Sequence, residues 1–167
     1  MSLATQISLR ISSERLLPQD LQTARAALDT LFSLVLSSGV GAGQADNVFS
    51  DELTILTGAT QDLDFAGGGL LDTLGAALTF VKVKALVVIA DPTNTTNVTL
   101  QPKAGAGLPF LGGTTPTTLL TPGGAFLLFN PSAAGIAVGA GTTDAISLVN
   151  AAGASAKVKV IAIGTTA

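Results

Sequence analysis

The chain is 167 residues long, the size of one domain with a modest extension, and its net charge is −3. Without a basic field it offers little to nucleic-acid phosphates, so no nucleic-acid partner is expected. Cysteine, histidine, tryptophan and tyrosine are all absent, which removes disulfides, thiol chemistry, the usual neutral-pH general base and the usual stacking platforms for sugars and bases.

Met1 to Arg10 contains no apolar run followed by a cleavage site, so no secretory signal is expected. No later stretch has the length and apolarity of a membrane span. Thr5 to Ile11 alternates, with Ile7, Leu9 and Ile11 on one side, and reads as a short strand or extended arm. From Pro18 the spacing predicts an amphipathic α-helix over about 18–38. Leu21, Ala24, Leu28, Leu31, Phe32 and Val35 recur at three- and four-residue steps, and Gly39 follows as the natural stop. The glycines of Gly39 to Gly43 then follow a helix rather than a strand, which fits a flexible hinge better than a phosphate loop. The expected organisation is an N-terminal α-helical arm, 1–45, and a β domain, 46–167.

Beyond Glu52, short apolar runs alternate with Gly, Pro, Asn and Thr. Eight strands are expected: 53–56, 61–65, 77–90, 97–100, 117–120, 125–129, 145–149 and 157–163. Regular spacing of this kind indicates a mainly β fold, an antiparallel β-sandwich of jelly-roll-like form. Leu78 to Asp91 is the strongest element. It alternates at Val81–Lys84 and is apolar throughout from Ala85 to Ala90, as befits a strand crossing the middle of a sheet. Ala156 to Gly164 repeats that profile. The last strand is therefore expected in a sheet with, or facing, the central one, with Lys82, Lys84, Lys157 and Lys159 at one end as a basic stripe.

Only 11% of the residues are charged, against about a quarter in ordinary soluble domains. After Asp91 the charged side chains are Lys103, Asp144, Lys157 and Lys159 alone. A surface so poor in charge favours association, and subunit contacts are expected. Asp62, Asp64 and Asp72 lack the spacing of a calcium loop and read more simply as the solvent face of a strand and a nearby turn. The Asn94 and Asn97 N-x-T patterns fall in a Thr-rich stretch expected to be a hairpin tip. No serine lies in a nucleophile elbow. No catalytic residue, metal or cofactor is expected.

The runs DTLGAALTFVKVKALVVIADPTNTTNVTL from Asp72 and LTPGGAFLLFNPSAAGIAVGAGTTDAISLVNAAGASAKVKVIAIG from Leu120 resemble the capsid cement or decoration type of small structural protein in tailed bacteriophages. The resemblance covers about residues 52 to 167 and rests on turns and strands. It implies a non-enzymatic β-sandwich homo-oligomer, commonly a trimer, made in the bacterial host cytoplasm. In the virion it would sit on the capsid exterior and bridge copies of the major capsid protein. The helix over 18–38 is not required by it, and Leu28, Leu31, Phe32 and Val35 are expected to face a partner subunit or the capsid. A tail or baseplate subunit and a receptor- or glycan-binding module are the alternatives.

Overall fold

The computed structural model describes residues 3–113 and 115–167, so the first two residues of the expected arm lie outside the described residues. The described residues are mainly strand, and none is helical. In chain order the strands are β1 (Thr5–Pro18), β2 (Thr23–Ser38), β3 (Gln44–Ala45), β4 (Asn47–Ile55), β5 (Ala59–Asp64), β6 (Leu70–Leu71), β7 (Ala77–Leu78), β8 (Lys82–Ala90), β9 (Val98–Pro102), β10 (Thr118–Leu120), β11 (Ala125–Phe129), β12 (Ile136–Ala137), β13 (Ala145–Asn150) and β14 (Ala156–Thr165).

Two antiparallel sheets form the body. One has the order β11-β8-β14-β4, with β12 also pairing β8, and the other has the order β10-β9-β13-β5. Most connections pass from one sheet to the other, and the loop 91–97 between β8 and β9 is one of these crossings rather than the expected hairpin tip. Asn94 fixes it by closing two hydrogen bonds with Lys157, Nδ2 donating to the carbonyl and Oδ1 accepting from the backbone N–H, each 2.8 Å. Leu86, Val88, Val158 and Val160 of the first sheet share a core with Leu63, Leu100, Ile146 and Leu148 of the second.

The strand β8 lies between β11 and β14, as its apolar sequence requires, since both its faces are covered along much of its length. Leu86, Val88 and Ala90 enter the shared core, and alternation sends Ala85, Val87 and Ile89 to the outer face of the sheet. Near its start β8 carries a bulge. Ile163 opposes Ala85 but Gly164 opposes Val83, so Lys84 is the extra residue.

The expected helix over 18–38 is not formed. Residues Thr5–Pro18 and Thr23–Ser38 make one long antiparallel hairpin, from Thr5 opposite Leu36 to Pro18 opposite Thr23, turning where Gln19 N donates to Gln22 O at 2.9 Å. The physical reason is that 18–38 carries two periods at once. Leu28 and Phe32 sit on the helical stripe and also, with Leu34 and Leu36, at even spacings, and the even spacings match Ile7, Leu9 and Ile11 across the register. Pairing gives both segments one shared apolar face and satisfies their backbone groups together, whereas a helix would leave the alternating Thr5–Ile11 without a partner.

Candidate interaction surface

Each face of the β1–β2 hairpin has its own chemistry. One face carries Gln6, Ser8, Arg10, Glu14, Arg25, Asp29 and Ser33, and its charges are neutralised within the hairpin. Arg10 bonds Asp29 through two nitrogens, Nε–Oδ1 at 2.8 Å and Nη2–Oδ2 at 2.6 Å, and Arg25 lies 3.5 Å from Glu14. The Arg10 guanidinium holds the Asp29 carboxyl below its ordinary range, although both groups are exposed and the pair adds little to stability. The other face carries Ile7, Leu9, Ile11, Leu17, Leu28, Phe32, Leu34 and Leu36, interrupted toward the tip by Thr30, Ser13 and Arg15.

Only the base of that apolar face is covered. Leu36 is fully buried with Ala45, Ala85 and Ile163, and Ile7, Leu34, Val48 and Phe129 pack around them, which seats the hairpin on the outer face of the five-stranded sheet. Phe32 stacks on Phe129 with ring centroids 5.8 Å apart and planes 12° from parallel. Beyond that row the hairpin leaves the body. Leu9, Ile11, Leu17 and Leu28 stay 41–55% exposed, and Leu21 at the turn is 99% exposed. The segment Gly39–Gly43 is tied rather than free: Ser37 N donates to Gly43 O, Gly39 N to Ala45 O, and Gly43 N to Pro131 O.

The apolar surface continues onto the body. On the outer face of the five-stranded sheet, the row Phe129–Ala85–Ile163–Val48 lies under the hairpin, the next row, Leu127–Val87–Ile161–Ser50, is only partly covered, with Leu127 44% exposed, and the row beyond it carries Lys159 and Glu52. The outer face of the four-stranded sheet differs. It carries Thr60, Asp62, Thr99 and Gln101, with Ser147 buried beneath Asp62, and is mainly polar, broken by Val149 and the exposed Leu119.

Of the residues expected at an interface, Leu28 and Phe32 lie on the apolar face, while Leu31 and Val35 lie on the polar one, both 64% exposed. A helix would have placed all four on one stripe; the strand divides them. The lysines do not form the expected stripe. Because β8 and β14 are antiparallel, Lys82 opposes Thr165 and Lys159 opposes Ile89, which puts the pairs at opposite ends of the sheet. Lys159 is 3.6 Å from Glu52, and Lys157 is exposed. Lys84 is completely buried. Its ammonium donates to the carbonyls of Ser132 and, at 3.1 Å, Ala133, and burial lowers its pKa from the ordinary lysine range, with the charge of Lys82 adding to the effect. The bulge redirected this side chain, and nothing in the sequence marked it.

A cavity of about 480 Å³ opens between β4, β5 and β6 and is lined by Asp51, Asp62, Asp64 and Asp72. Three of these carboxylates are already engaged. Asp64 accepts from the N–H groups of Ala66 and Gly67, and Asp72 from those of Leu74 and Ala76. Burial opposes ionisation of Asp62, but the Ser147 hydroxyl at 2.6 Å and the Lys103 ammonium at 3.1 Å outweigh it and lower the pKa. Among the described residues no acidic cluster has the geometry to hold a metal ion.

No family model, curated protein or solved structure matches the chain.

Proposed function

We propose that this chain is a non-enzymatic structural subunit of a tailed-bacteriophage virion, a capsid cement or decoration protein that works by docking through its hairpin and the adjoining sheet face. The observation that carries the reading is the contrast between the two outer faces. One sheet presents a mainly polar surface, broken by Leu119 and Val149. The other carries, beside its charged Lys159–Glu52 row, an apolar strip that runs onto the projecting ribbon, and exposed apolar surface of this kind marks an interaction site. The strand orders β11-β8-β14-β4 and β10-β9-β13-β5 support reading the body as a jelly-roll sandwich. That architecture recurs in viral capsid and lectin domains, which is an analogy of fold only. A homotrimer bridging major capsid protein subunits accords with the low charge of the chain.

The test is quantitative mass spectrometry of purified virions from the phage that encodes the chain, with heads and tails separated. Hundreds of copies on the head are expected. A few to a few dozen copies on the tail would assign it to the tail or baseplate instead, and absence from the particle would overturn a structural role.

A further inference from the structure

We infer that the apolar face of the hairpin is covered by the same face of neighbouring copies of this chain, the ribbons packing face to face about one symmetry axis. The inference rests on the docking role above and names the occupant of its most exposed part. A two-stranded ribbon is marginal in water unless a third strand or a packed layer supports it. Here the section beyond the Leu9–Phe32 row has neither. Leu9–Pro18 and its partner strand extend about 30 Å at a rise of ~3.4 Å per residue, with their apolar side open.

The chemistry of the ribbon suits a second copy of itself. Over the whole ribbon Arg10, Arg15 and Arg25 balance Glu14, Asp20 and Asp29, and Arg15, the one of the three arginines on the packing face, can lay its stem on Ala26 and keep its guanidinium in water. Two ion pairs are closed within the polar face, so its charges need no partner from another chain. About a two-fold axis such a contact is self-complementary, and about a three-fold axis the ribbons close head to tail into a ring. The open ribbon face and the adjoining Leu127–Val87–Ile161 row together span roughly 500 Å² per copy in projection. Two copies would then bury on the order of 1,000 Å², the lower bound for a specific interface.

The test uses the full chain and light scattering after size exclusion. The native protein should run at two or three times its 16.5 kDa chain mass. The double variant Ile11→Asp, Leu28→Asp should run as a single chain with its thermal melt retained, and Leu31→Asp, on the polar face, should keep the native mass. Because the chain contains no cysteine, single cysteines report proximity without background. With a short bis-maleimide, Ser13→Cys on the apolar face should cross-link between chains and Ser12→Cys on the other face should not. This second measurement decides the matter if the aspartate variant fails to fold.

A single-chain native mass, an oligomer indifferent to the aspartates, or cross-linking at Ser12→Cys in place of Ser13→Cys would overturn the inference. A native single chain found in hundreds of copies on phage heads would overturn it while leaving the virion role intact. An oligomer that is absent from virions would do the reverse.

Discussion

Replacing Gly164 by alanine should destabilise the body sharply, for a reason that is purely steric. Gly164 sits opposite Val83 at the β8 bulge. A Cβ there would land on the carbonyl oxygen of Lys82, well inside the 3.0 Å limit of real Cβ contacts, and 2.9 Å from Cδ1 of Phe80. The obstacle is backbone, so β8 and β14 would have to part by about 1 Å, as overpacking demands. The neighbouring bond from Val81 N to Thr165 O, 2.7 Å long, lies directly in the path of that movement. Overpacking costs about 1–3 kcal/mol and a lost backbone hydrogen bond about 0.5–1.5, which gives roughly 3 kcal/mol in all. For a chain of this size that is a fall in Tm of roughly 6–12 °C. The matched control is Gly69→Ala. Gly69 is not in the left-handed region and has nothing within 4 Å of a built Cβ, so alanine there should be neutral or stabilise by about 0.4–1 kcal/mol. Calorimetry or far-UV circular dichroism of the two variants reads the difference. Equal melting temperatures would refute the close approach of the two strands at the bulge.

Three further outcomes are expected. Val88→Ala, in the shared core, should cost about 2–3 kcal/mol, and Ile89→Ala, on the half-exposed outer face, about 1 kcal/mol, so equal losses in denaturant melts would contradict the assigned alternation of β8. A double-mutant cycle on Phe32→Ala and Phe129→Ala should return a coupling of about 0.5–1.5 kcal/mol from the stacked rings, and zero coupling would detach the hairpin base from β11. Lys84 supplies a pH test. Its folded pKa lies below the ordinary 10.5, so between the two values the unfolded chain holds more protons and stability rises with pH. The burial penalty is felt in full below the folded pKa. The stability of Lys84→Met relative to the native protein should therefore decline as pH climbs toward 10.5, and a flat difference would place the ammonium in water.

The body was legible in the sequence because its strands are bounded by turn residues and obey a single period. The reading 125–129 coincides with β11, 145–149 falls one residue short of β13, and the last strand does pair with the central one. The hairpin was not legible, because Leu28 and Phe32 fit both a 3.6-residue and a two-residue period. What separates the two is the complementary alternation of Ile7, Leu9 and Ile11 on a segment more than ten residues away. The alternation of Thr5–Ile11 complements that of residues 30–36, and only the two segments together distinguish a hairpin from a helix. The fate of the lysines depended on two things outside local pattern: the antiparallel sense of β8 and β14, and a one-residue bulge that turned Lys84 inward.

The position of β14 between β8 and β4 governs the order in which the molecule can be built. Residues 47–55 of β4 and residues 82–90 of β8 have no hydrogen bonds to one another, and both wait for residues 156–165 to join them. During synthesis the five-stranded sheet therefore remains in two pieces, each with an apolar strand edge open, until the last strand emerges. Pairings this distant in sequence fold slowly, and the waiting edges are open to other chains. Shortening the chain by its final ten residues would remove the strand that joins two halves of a sheet, with a consequence closer to loss of the fold than to loss of an edge.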